Sequence, residues 1–78
     1  MIGNKIKALL TLRNKSTSDA CNYMGILQAS WYRKINNNTF KAEELIQLAE
    51  MTGTKLSFLD EKGKVVISFD IDDIKTNV

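Results

Sequence analysis

The sequence predicts a mainly α fold, four helices forming a helix-turn-helix domain with a C-terminal β-hairpin. Three observations predict it. The run Thr17–Asn36, TSDACNYMGILQASWYRKIN, places a single glycine between two helix-like stretches, the spacing of a helix-turn-helix. Apolar residues recur at helical intervals on both sides of that run. Beyond Gly53 the period switches to alternation, with branched and aromatic residues on either side of Lys62-Gly63.

Each element follows in order. Ile2, Ile6, Leu9, Leu10 and the stem of Arg13 keep helical spacing, which predicts helix 1 over about Asn4–Arg13. Asn14–Ser16 is a polar break. Ser16 followed three residues later by Asp19 has the order of a capping box, so helix 2 covers Thr17–Met24 with Ala20, Tyr23 and Met24 on one face. Gly25 stands where that helix must stop and the chain must turn, a place that favours left-handed backbone. Ile26, Trp31 and Ile35 then form a second apolar set, with helix 3 over about Gln28–Asn36. Asn36-Asn37-Asn38 ends it, because asparagine competes for backbone hydrogen bonds and tolerates left-handed geometry. Helix 4 covers about Lys41–Thr52, with Leu45, Leu48, Ala49 and Thr52 inward and Glu43 and Glu44 at its positive end. Leu56, Phe58 and Asp60 alternate with Lys55, Ser57 and Leu59; after the turn, Lys64–Phe69 supplies the second strand. The tail Asp70–Val78 reads as either a strand extension or a frayed helix. The chain thus divides into a helix-turn-helix domain (1–54), a hairpin of the same domain (55–70) and an acidic tail (71–78).

Composition narrows the function. The chain has 78 residues, 44% hydrophobic and 26% charged, which suits one small globular domain rather than a disordered segment. It holds neither an apolar run of membrane-spanning length nor a signal-peptide core, so a cytoplasmic location without membrane contact is expected. The single cysteine, Cys21, excludes an intramolecular disulfide and reads as a packed small hydrophobe. With no histidine, a zinc site is left with one thiolate and carboxylates, and the commonest general acid–base group is missing. The expectation is a non-enzyme with no metal, no cofactor and no small-molecule ligand.

Charge is segregated along the chain. Residues 1–41 carry seven bases against one acid (+6), and residues 42–78 carry four bases against eight acids (−4). A basic half beside a helix-turn-helix suits phosphate binding. On helix 3 the predicted base-reading residues are Gln28, Ala29, Ser30, Tyr32 and Arg33. A glutamine amide pairs with adenine in two-pronged fashion, an arginine fork with guanine, and small residues let the helix approach closely. Tyr32 suits a thymine methyl, a phosphate or packing at the helix edge. Lys15, Ser16, Thr17, Lys34, Asn36, Asn37, Asn38, Thr39 and Lys41 are the predicted phosphate contacts, the first three beside the amides that open helix 2. On the second strand, Val65, Val66, Ile67 and Phe69 exceed what a two-stranded ribbon buries alone. They either cover the helical core or pair with a second copy, the latter making a homodimer.

The residues over Ile2–Thr54 resemble the phage-repressor-like helix-turn-helix family, which includes lambda repressor and Cro. Ile6, Leu9 and Leu10, then Ala20 and Met24, Gly25-Ile26, Trp31 and Ile35, and finally Leu45, Leu48, Ala49 and Gly53 carry the resemblance. The pattern Phe40, Leu45, Ile46, Ala49 is similar to that of small stand-alone regulators from Firmicute phages and mobile elements. Where many members cap the recognition helix with serine or threonine, this chain has Leu27. The resemblance implies sequence-specific binding of double-stranded DNA and control of transcription, with repression favoured. The competing expectation is a helix-turn-helix scaffold serving as a protein-interaction module, such as an antirepressor, which works through the acidic half and the hairpin.

Overall fold

The computed structural model describes residues 1–74. Four helices come first: α1 (Ile2–Leu12), α2 (Thr17–Met24), α3 (Gln28–Asn37) and α4 (Ala42–Thr52). An antiparallel hairpin of β1 (Leu56–Leu59) and β2 (Val65–Phe69) follows, then one 3₁₀ turn, Ile71–Asp73. The predicted mainly helical fold with a C-terminal hairpin is the observed one. At its start the tail takes the helical alternative, as a single 3₁₀ turn that Asp70 opens by accepting a hydrogen bond from the Asp72 amide. Residues 75–78 lie outside the described residues.

Ile6, Leu10, Ala20, Cys21, Trp31, Ile35 and Leu48 form one buried cluster, drawn from all four helices. Trp31 is 1% exposed, and Phe40 meets its ring edge-on at 5.4 Å between centroids. A Cβ placed on Gly3 would lie 2.7 Å from the Ile35 carbonyl oxygen, so glycine there lets α1 and α3 touch backbone to backbone. Thr52, the one buried polar residue among those described, donates to the Leu48 carbonyl at 2.8 Å.

Two inward assignments need correction. Tyr23 is 45% exposed, and Cys21 occupies the interior instead. The buried face of α2 centres on Ala20, Cys21 and Met24, and Tyr23 lies roughly 100° around the helix from it. On α4, Ile46 is buried and Leu45 only half-buried. Contact with α2 on one side and with β1 and the 3₁₀ turn on another makes the buried arc of α4 broader than a single stripe.

In the hairpin, Leu56 pairs with Phe69, Ser57 with Ser68 and Phe58 with Ile67, and a bulge precedes the Leu59–Val65 pair. Asp60 belongs to the turn, not to the strand: its carboxylate accepts from the Lys62 and Lys64 amides, both at 2.9 Å. One face is apolar, with Phe58 edge-on to Phe69 at 5.9 Å. The other carries the Ser57–Ser68 hydroxyl pair at 2.7 Å. Only the base of the ribbon is sheltered, at Leu56 and Phe69, while Phe58, Leu59, Val65, Val66 and Ile67 are more than half exposed. Among the described residues no helix is long and apolar enough to cross a membrane.

Candidate nucleic-acid interface

The turn between α2 and α3 is three residues long, and its conformation follows from Gly25. That residue sits at φ 70° and ψ 36°, and both its amide and that of Ile26 donate to the Cys21 carbonyl. The left-handed step closes α2 and redirects the chain within one residue. At the other end of α2, the Ser16 hydroxyl accepts from the Asp19 amide at 3.0 Å and the Ser16 amide donates to Asp19 Oδ2 at 2.8 Å. Those bonds, with a smaller contribution from Lys15, hold the Asp19 carboxyl below its ordinary pKa. The capping box is complete, and Asp19 is turned onto its own helix.

Helix α3 buries Trp31 and Ile35 and presents a polar face. Gln28, Ala29, Tyr32, Arg33, Asn36 and Asn37 are exposed, whereas Ser30 is half-buried. Gln28 Nε2 donates to the Ser18 hydroxyl of α2 at 3.2 Å, which ties the start of α3 to its neighbour. This bond assists an N-terminus that lacks a side-chain cap, because Leu27 has no polar atom to offer. Arg33 Nη2 donates to Ser30 Oγ at 3.3 Å, which aims the guanidinium along the same face. Asn38 ends α3 in left-handed geometry, φ 55° and ψ 45°, and it and Thr39 are exposed.

Lys34 has a different setting from the other predicted phosphate contacts. Its ammonium lies 2.8 Å from Glu44 Oε2, with the two side chains 19% and 15% exposed. The other oxygen of Glu44 accepts from the Lys41 amide at 2.8 Å. Burial opposes ionisation of Glu44, but the Lys34 ammonium and the Lys41 amide outweigh it and lower its pKa. Lys34 thus fastens α3 to the start of α4, and Glu44 orders the loop that carries Thr39 and Lys41.

Two shallow grooves flank α3. One, of about 270 Å³, is lined by Ser30, Arg33, Lys34, Asn37 and Thr39. The other, of about 310 Å³, runs between α1 and α3 and is lined by Lys7, Leu10, Thr11, Lys15, Thr17 and Tyr32. Sequence reasoning omitted Lys7 and Thr11. The signal was present, since residues four apart share one face of a helix. The structure brings Arg33, Asn37 and Thr39 to one groove and Lys15, Thr17 and Tyr32 to the other, and holds Gln28 against Ser18 of α2. Val65, Val66 and Ile67 stand apart on the hairpin.

Among the described residues no group of three or more His, Cys, Asp or Glu converges as a metal site would require. The Cys21 thiol is buried and its pKa is raised by desolvation, which disfavours the reactive thiolate. The exposed chemistry is hydrogen-bond donors, hydroxyls and cations on one helix and its borders. No protein-family model matches this chain, and neither a curated protein nor a solved structure matches it.

Proposed function

We propose that this chain is a sequence-specific regulator of transcription, a cytoplasmic homodimer that binds double-stranded DNA with α3 in the major groove and favours repression. The observation that carries this reading is the exposed face of α3. It offers Gln28, Ala29, Arg33 and Asn36 to a ligand while Gln28–Ser18 and Lys34–Glu44 hold the helix in place. Arg33 and Gln28 are the base readers, suited to guanine and adenine edges. Four helices in this order, with a glycine turn before α3, also agree with the resemblance to the phage-repressor-like family. The apolar face of the hairpin supports the dimer, because its strand residues lack cover in the single chain. Two copies paired there present two recognition helices to half-sites about one helical turn apart.

Selection from a random duplex pool at near-physiological salt tests the reading. A two-fold-symmetric enriched site is the expected result. With about six phosphates neutralised per protomer, affinity should fall with salt at a log–log slope of about −5. The second reading, a protein-interaction module, is favoured by the same exposed hairpin. It gains if no site is enriched and binding to DNA vanishes as salt rises.

A further inference from the structure

We propose that Leu27 reads a thymine methyl group and is a specificity-determining residue beside Gln28 and Arg33. This rests on the DNA reading above and adds to it a residue from the turn, outside the exposed face of α3, with the base that it selects.

Leu27 closes the turn and immediately precedes α3, in extended backbone at φ −77° and ψ 151°. Its carbonyl accepts from the Trp31 amide at 3.1 Å and so starts the helix. Its side chain does nothing for the fold. At 76% exposure it adds no burial to the core, and it has no oxygen to cap the amides of the first turn. A serine, threonine, aspartate or asparagine at that place would stabilise the helix. Helices α2 and α4 do have their first turns tied, by Ser16 with Asp19 and by Glu44. In α3 the only comparable support is the Gln28–Ser18 bond. A large apolar side chain thus stands in water where a small polar one would serve folding better.

The ligand follows from what base edges offer. In the major groove they present hydrogen-bond donors and acceptors and a single apolar group, the C5 methyl of thymine. Set against a donor or acceptor, a leucine would strip its water and return no hydrogen bond. Set against the methyl, it removes water from two apolar surfaces at no polar cost. The start of the second helix is the part of a helix-turn-helix that meets base edges, and Leu27 adjoins Gln28 there. An A·T pair presents both an adenine edge and a thymine methyl, so neighbouring A·T pairs satisfy both residues. A protein partner fits this position less well. Leu27 lies between Ile26, which is half-buried, and the polar Gln28. That is too little apolar surface for a protein interface, but it matches one methyl contact.

The test is the affinity of the full chain for its selected site, with each thymine in turn replaced by deoxyuridine, which lacks only the methyl. Wild type should lose about fourfold at one position of each half-site, the worth of one buried carbon. Leu27→Met should keep that loss, whereas Leu27→Ser should bind thymine and uracil alike at that position. Leu27→Ser also supplies the missing cap, so its melting temperature should rise by about 4–8 °C. A more stable protein that has lost discrimination separates base reading from folding, because a structural role for Leu27 would lower both. A site on which wild type feels no uracil substitution overturns the proposal and leaves the regulator reading standing. So does a Leu27→Ser protein that still tells thymine from uracil, which would assign the methyl to Ala29 or Tyr32. Equal weakening of the selected site and of unrelated duplex by Leu27→Ser overturns it too. A wild-type chain that selects no site overturns both readings.

Discussion

The helical body and the hairpin treat their apolar residues in opposite ways. In the body the largest side chains go inside, Trp31 and Leu48 at 1% exposure, and of the apolar residues left outside, Leu12 stands at a helix end and Leu27 in a turn. In the hairpin the order is reversed, with Phe58 63% and Val66 69% exposed. The body builds its buried cluster within one chain. The hairpin is held by its ladder, its serine pair and the turn around Asp60, but its apolar face gains little until something covers it. The first region holds the buried cluster, and the second leaves its apolar strand residues open to solvent.

The strongest way to break this contrast is Trp31→Ala. Removing a fully buried ring contacted by Phe40 should cost about 3–5 kcal/mol, enough to unfold much of a domain this small, as denaturant titration followed by circular dichroism will show. A comparable loss from the hairpin would mean that the two regions fold as one unit. Ile67→Asp should leave the helical signal intact but raise the dimer dissociation constant about tenfold or more, because it sets a charge in an apolar contact. Sedimentation equilibrium reads that change, and an unaltered constant removes β2 from the interface.

Arg33→Ala sharpens the division between the two surfaces. It should weaken specific DNA binding by about 1–3 kcal/mol at every protein concentration, whereas the deficit of Ile67→Asp should shrink as protein is added. A smaller effect, about 1 kcal/mol of stability, is expected for Ser16→Ala, which removes the N-cap of α2. The least is a change in shape with pH. The pKa of Glu44 is lowered in the folded chain, so its contribution is present above the ordinary carboxylate range and is lost as pH falls through the lowered value. Glu44→Gln should therefore be less stable than wild type near neutrality, and the gap should narrow in acid. A gap that is constant from neutral to acidic pH would show that the Lys34–Glu44 pair contributes nothing through charge.

What the sequence disclosed was what depends on near neighbours. Thr17–Met24 was legible to the residue, since a capping box and a glycine stop are local signals. The hairpin was legible from its change of period. What escaped was decided between distant segments. Ser18 and Gln28, or Lys34 and Glu44, lie ten residues apart and meet only because the helices pack. Lys34 therefore read as a phosphate contact, and Gly3 carried no signal, although a backbone 32 positions later requires its lack of a side chain. Tyr23 was misplaced because two turns of helix give too few apolar residues to fix the centre of a face. The groove holding Lys7 had no single stretch of sequence to announce it, being assembled from three elements.

The uncovered face of the hairpin has a consequence for dosage. If a second copy is what covers it, the active form grows with the square of chain concentration while chains are scarce and linearly once they are abundant. Dilution at cell division, or a modest rise in synthesis, then shifts occupancy of a target site more than proportionately. Such a molecule needs no effector pocket to have a threshold, since its own abundance is the signal. Where that threshold would sit is set by the exposed residues of the ribbon, Phe58, Val65 and Ile67 among them, and so would drift with substitutions far from α3.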